Sequence, residues 1–178
     1  MKIEIDIREL IPLKDFELNW RWEKPHNPNI SDSEKAKIEP VSVIESKRLN
    51  KIIEYFEIEG NLKNDYIETD WIYASSESDK TKKLFRRKLA SIIEKWNEGL
   101  IVSWDQTTTL KVTKEIFLKY WDDFCYPSSD DVIIISLETN WIMYYRHNEL
   151  AKIWIRRNEH TTMATCHAGK NLREENGD

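Results

Sequence analysis

Glycine is scarce in this sequence: four in 178 residues, at positions 60, 99, 169 and 177, each isolated. Loops that cradle phosphates need glycines so that the backbone can approach the ligand, which excludes a Rossmann or P-loop nucleotide site. There is no Gly-x-Ser-x-Gly either, so nothing supports the strained nucleophile turn of an α/β-hydrolase. Only two cysteines are present, Cys125 and Cys166, and they do not form a Cys-x-x-Cys pair. Two are too few for a disulfide framework, and reduced thiols are expected. No apolar run is long enough to span a bilayer, and the opening MKIEIDIREL has no signal-peptide core. A cytoplasmic protein with no membrane association is therefore expected. Surplus positive charge is also missing: 27 Lys and Arg against 32 Asp and Glu leave a net charge of -5 and a pI near 5.5. Neutralising phosphates takes an excess of cations, so nucleic acid is disfavoured as a partner and a basic macromolecule fits better.

Aromatics, by contrast, are abundant, with eight Trp and seven Tyr in a chain that is 40% hydrophobic and 33% charged. A chain of this length can bury one substantial core, and most of these rings belong there. The stretch Asp130 to Arg157 organises the rest. Val132 to Ile135, Trp141 to Tyr145 and Leu150 to Ile155 are runs of β-branched and aromatic residues joined by short polar segments, the pattern of a three-strand antiparallel meander.

Upstream, Ile3, Ile5 and Ile7 alternate with charged residues, which predicts a strand over residues 2–8. The segment from Leu10 to Ser31 holds Pro12, Pro25 and Pro28 and should be irregular, with Trp20 and Trp22 either packing on the core or forming an exposed recognition surface. Ser31 and Glu34 have capping-box spacing and open a short helix over Asp32 to Ile38, ahead of Pro40. Ser42 and Glu45 open a second, over residues 43–57, whose apolar side is Ile44, Leu49, Ile52, Ile53 and Phe56. Tyr66 to Ala74 reads as a strand. From Asp79 a third helix sets Leu84, Phe85, Leu89, Ile92, Ile93 and Trp96 on one side and a basic stripe of Lys80, Lys83, Arg86 and Arg87 on the other. Leu100 to Trp104 is a short strand and Thr107 to Thr109 a polar break. Thr113 then caps a helix that buries Ile116, Phe117, Tyr120, Trp121 and Phe124. The expected architecture is α+β: one domain over residues 1–157, a mainly antiparallel sheet with the C-terminal meander and two to three amphipathic helices on one face, and a loosely ordered polar tail over 158–178.

Chemistry-bearing residues are sparse. His26, His147, His160 and His167 form no His-Glu-x-x-His pair, and Cys125 follows a predicted helix C-terminus, where nothing lowers a thiol pKa. His160, Cys166 and His167 sketch a soft-metal set, but in the least patterned part of the chain; no metal and no cofactor is expected. The densest cluster is WDDFCYPSSDD, with Asp122 and Asp123 in the last turn of a predicted helix, where the macrodipole opposes a carboxylate by up to about 1 kcal/mol. Asp130 and Asp131 follow at the entry to the first meander strand. Turn-capping and solvation explain acids at such places, as does a patch for a cationic partner or a hard-metal site.

Taken together, WRWEKPHNPN from Trp20, IEPVS from Ile38, FCYPSSDDVIIIS from Phe124 and NWIMYYRHNELAKIWIRR from Asn140 resemble small bacterial domains that occur as immunity proteins of polymorphic or contact-dependent toxin systems. The likeness is strongest over Trp121 to Arg157. It implies a cytosolic, non-catalytic protein that binds a cognate toxin domain and blocks it, and it carries over no functional residue set. Many such toxins being basic nucleases, the partner-binding residues expected on charge grounds are Asp122, Asp123, Asp130, Asp131 and Glu138, with Trp20 or Trp141 as aromatic anchors. Two other classes compete. A small enzyme or metal-binding protein would use the four aspartates with His147, and a nucleic-acid-binding protein would use the basic helix from Lys80 to Lys95.

Overall fold

The computed structural model describes residues 1–27, 29–56 and 65–157. Among them are five α-helices and eight strands, all antiparallel: α1 (Asp32–Lys35), β1 (Ile38–Pro40), α2 (Val43–Tyr55), β2 (Tyr66–Glu68), β3 (Ile72–Tyr73), α3 (Asp79–Ile93), β4 (Leu100–Ser103), β5 (Thr109–Val112), α4 (Lys114–Lys119), α5 (Trp121–Phe124), β6 (Val132–Ser136), β7 (Trp141–Arg146) and β8 (Leu150–Arg156). They form one sheet in the order β1-β5-β4-β6-β7-β8-β2, with β3 also on β8. This is the α+β domain with a strand meander that the sequence predicts. The predicted tail lies outside the described residues.

The meander β6-β7-β8 and strand β4 form the centre. Every residue of β4 is buried because helices cover the sheet on both sides, which is why Leu-Ile-Val-Ser reads as a continuous run without alternation. Leu100, Val102, Ile134, Met143 and Ile153 point to one face, where α3, α4 and α5 bury Phe85, Leu89, Ile93, Phe117, Trp121 and Phe124. Of the amphipathic helices expected on one face, the one from Asp79 (α3) and the one from Thr113 (α4 with α5) lie there, and the one over residues 43–57 does not. Ile101, Ile135, Ile142 and Trp154 point to the other, where α2 lays down Leu49, Ile53 and Phe56, a second layer beyond what periodicity predicts.

Several local expectations change. Residues 2–8 are not a strand: the Asp6 carboxylate accepts the Arg8 N–H and turns the chain into a short 3-10 helix at Ile7–Glu9, leaving Ile7 exposed. A side chain bonding to its own backbone neighbour offers an alternative to the ladder, and here it prevails. The helix at Asp32 stops at Lys35, and Ile38–Pro40 become β1 at the sheet edge, where proline's missing donor removes no central bond. The Tyr66 to Ala74 strand is two pieces, because Thr69, Asp70 and Trp71 lie opposite only Lys152 and Ile153 of β8. That extra residue is a bulge, stitched by Thr69 N–H to the Ile153 carbonyl and by Ile153 N–H to the Thr69 hydroxyl. Thr109, assigned to a polar break, opens β5 and is fully buried with its hydroxyl 3.1 Å from that of Ser103. The Thr113 helix breaks at Tyr120 into α4 and α5.

Three turns near the meander place a residue other than glycine at positive φ: Ser128 (67°), Thr139 (55°) and Glu149 (62°). Thr139 and Glu149 use their side chains there, to the Met1 carbonyl and to Ser75 and Ser76. Ser128 contributes its N–H to the His147 carbonyl, a bond glycine would keep. Ser128→Gly is therefore expected to raise stability by about 0.5 kcal/mol, left-handed strain relief exceeding the added freedom of the unfolded chain. Denaturant unfolding measures this, and a lower midpoint would contradict it.

Candidate functional site

The described part of the segment expected to be irregular, from Leu10 to Asn27, crosses the end of the sheet where β6 begins. It delivers Arg21, which is only 4% exposed. The Arg21 guanidinium donates from both terminal nitrogens to Asp130, at 2.5 and 3.1 Å. Three rings surround it: Tyr126 at 4.7 Å, Trp20 at 5.3 Å and Trp104 at 5.5 Å from centroid to Cζ. Asp130 also accepts the Trp104 indole N–H, the Tyr126 backbone N–H and the Ser129 hydroxyl. Burial alone would raise this carboxyl; the hydrogen bonds from Arg21, Tyr126 and Ser129 more than reverse that and hold it below its ordinary value. Trp20 and Asp130 thus meet around Arg21, 109 residues from its carboxylate partner, in one clamp, whereas Trp22 is buried in the core against Phe16 and Phe124.

That placement corrects the expected site. Asp130 is buried inside the clamp and unavailable to a partner, and Trp141, fully buried in the core, is no surface anchor. Because the helix breaks at Tyr120, Asp122 and Asp123 fall in the single turn of α5 rather than the last turn of a long helix, and so short a helix has little macrodipole to oppose them. Asp122 pairs with Lys82 of α3 at 2.6 Å. Asp123 accepts from the Asn27 amide at 2.5 Å. Burial, then the neighbouring Asp122 charge, raise the Asp123 carboxyl to about 7 against the attraction of Lys82 and Arg21. Asp131 is exposed and meets the backbone N–H and ring Nδ1 of His147, both at 3.0 Å. Glu138 lies at the opposite end of β6, roughly 17 Å away at about 3.3 Å per residue, beside Lys2 at 3.7 Å. Trp20 stays 38% exposed, its ring edge-on to Tyr126 and His26.

Asp131 therefore keeps different company from that expected. It lines a polar groove of about 230 Å³ together with Glu17, Leu18, Trp104, Asp105 and the buried Asp130. Asp105 shapes the β4–β5 turn: one oxygen accepts the N–H groups of Thr107 and Thr108 and the Thr107 hydroxyl, the other the Thr108 hydroxyl. Burial pushes its carboxyl up, and these four donors bring it below the ordinary value, so it is an anion at neutral pH. Glu17, Trp104 and Asp105 were not singled out in the sequence. The signal available was the aspartate two and three residues before paired threonines, an Asx-turn pattern. A second, more apolar groove runs past Leu10, Ile11, Leu13 and Ile38, and two of its carboxylates, Glu23 and Glu39, are already paired with Lys35 and Lys111.

The four aspartates have separate partners, and among the described residues no group of three or more His, Cys, Asp and Glu side chains could hold a metal ion. Cys125 is fully buried, and burial pushes its thiol well above the ordinary value. His160, Cys166 and His167 lie outside the described residues. On α3, Arg86 of the basic stripe donates to the Lys119 carbonyl, and Lys82, outside the stripe, pairs with Asp122. No described helix is long and apolar enough to cross a membrane. Comparison of the chain with protein-family models, with curated proteins and with solved structures finds no match.

Proposed function

We propose that the protein is a non-catalytic binding protein of the immunity type, acting in the cytoplasm by holding a cationic surface of a cognate toxin domain. The observation that carries this reading is the groove of Glu17, Asp105 and Asp131 against Trp104. Carboxylates on a low-dielectric aromatic wall focus a negative potential, which draws in Lys or Arg side chains and speeds encounter. The Arg21–Asp130 clamp holds Trp104 beneath it and keeps Trp20 at the margin as an aromatic contact. The bacterial immunity-protein likeness of Trp121 to Arg157 supports the same reading. Asp131 and Trp20 remain partner contacts in it, joined by Glu17 and Asp105.

The test is association kinetics with a basic nuclease toxin domain. Glu17→Gln combined with Asp131→Asn is expected to slow association about fivefold at low salt and to flatten its salt dependence, with little change in dissociation. An unchanged association rate and salt dependence would show that the groove does not receive the partner.

A further inference from the structure

The sheet carries another surface, which the acidic groove does not use. Among the described helices only α2 lies over the face of Ile101, Ile135, Ile142 and Trp154. Strand alternation puts Tyr144, Arg146, Leu150 and Lys152 on that same face, with Tyr144 opposite Lys152 and Arg146 opposite Leu150. Trp71, from the edge bulge, and Tyr73, opposite Leu150, extend it to the sheet margin, where they are 41% and 58% exposed.

Rings and cations interleave here. The Arg146 guanidinium lies 5.7 Å from the centre of the Trp71 ring and 5.8 Å from that of Tyr144. The Lys152 ammonium lies 5.4 Å from Trp71 and 5.8 Å from Trp154, and 3.0 Å from the exposed Glu68. Arg146 has no ion pair among the described residues, and its buried Nε has no hydrogen-bond partner.

We propose that this face binds single-stranded nucleic acid, with bases stacking on Trp71 and Tyr73 and phosphates meeting Arg146 and Lys152. Stacking on exposed rings flanked by cations needs no cavity and tolerates any base, and neither groove described above contains a residue of this face. An acidic protein segment would engage the two cations and leave the two exposed rings without a matching group. The net charge of -5 lowers the affinity without moving the site, since charges more than about 8 Å apart are largely screened at physiological salt. The basic helix is the poorer platform: the large apolar side chain exposed on α3 is Leu84, which offers no ring for a base.

The experiment titrates the full chain with an oligothymidylate of about ten nucleotides, following tryptophan fluorescence, with poly-glutamate in parallel. Expected are quenching and a log–log salt slope of roughly -1.4, two phosphates at about 0.7 each. Trp71→Ala weakens binding about tenfold, and Lys152→Gln reduces the slope by about 0.7. Lys80→Gln with Lys83→Gln changes neither. If Trp71→Ala fails to fold, the Lys152→Gln slope decides. The proposal is overturned by absence of binding at low salt, by binding indifferent to Trp71 or Lys152, by a loss that follows the α3 variant, or by poly-glutamate binding equally tightly, which would point to an acidic protein instead.

Discussion

Replacing Asp130 with alanine is expected to lower folding stability by about 3–5 kcal/mol, the usual consequence of leaving a buried charge without its partner. The Arg21 guanidinium would keep its ring enclosure and lose both carboxylate bonds, while the Trp104 indole, the Tyr126 N–H and the Ser129 hydroxyl would lose their acceptor. Arg21→Met with Asp130→Leu should recover part of the loss, because removing both charges avoids the unpaired one. Urea unfolding of the two variants measures this; a double variant no better than Asp130→Ala would show that the clamp matters for its hydrogen bonds and shape rather than its charge. The pH dependence has a definite sign. The folded Asp130 carboxyl sits below its ordinary value, so its contribution is present above about pH 4 and is lost as the pH falls through the folded value. Wild-type protein should lose stability in acid more steeply than the double variant.

Asp123→Asn should do the reverse and stabilise the protein by about 2 kcal/mol at pH 8. The folded carboxyl titrates near 7 against an ordinary 3.8, because burial and the Asp122 charge both oppose ionisation. A raised carboxyl value means the folded chain holds the proton more tightly than the unfolded chain. The stabilisation this brings is complete below about pH 4, declines as the pH rises, and is gone above about 7. The full gap corresponds to roughly 4 kcal/mol at about 1.36 kcal/mol per pKa unit, and partial access of water roughly halves it. An asparagine at 123 still presents an oxygen to the Asn27 amide and carries no charge to bury. Unfolding free energies of the two proteins should converge near pH 4 and separate toward pH 8; parallel curves would mean that Asp123 ionises freely in the folded state.

The two residues show why this site was half legible. WDDFCYPSSDD stands out as a run of acids, and the structure does give every one of its aspartates a specific partner. What the run does not disclose is the sign of its neighbourhood, since Arg21 arrives from 109 residues away and Lys82 from 40. Long-range pairing leaves no local pattern, so an acid destined for a buried clamp and one destined for a groove look alike in the sequence. Trp20 and Trp141 were equally ambiguous until the surrounding layers were in place. Glu17 and Asp105 went unnoticed because each sits alone among residues with no periodicity.

The sequence by itself determined the class of this protein. The β-branched and aromatic runs of Val132–Arg156 and the period-3.6 patterns of Val43–Phe56 and Asp79–Ile93 are local, and the elements they encode formed where those residues placed them. Tertiary structure decided the rest. Thr109 became a strand because a neighbouring strand supplied its ladder and Ser103 took its hydroxyl; residues 2–8 lost theirs to the local bond from Asp6; α2 went to the far face because the first was filled. The surface chemistry follows from those placements, because an aspartate becomes a ligand for a cation only where no cation of its own chain has reached it first.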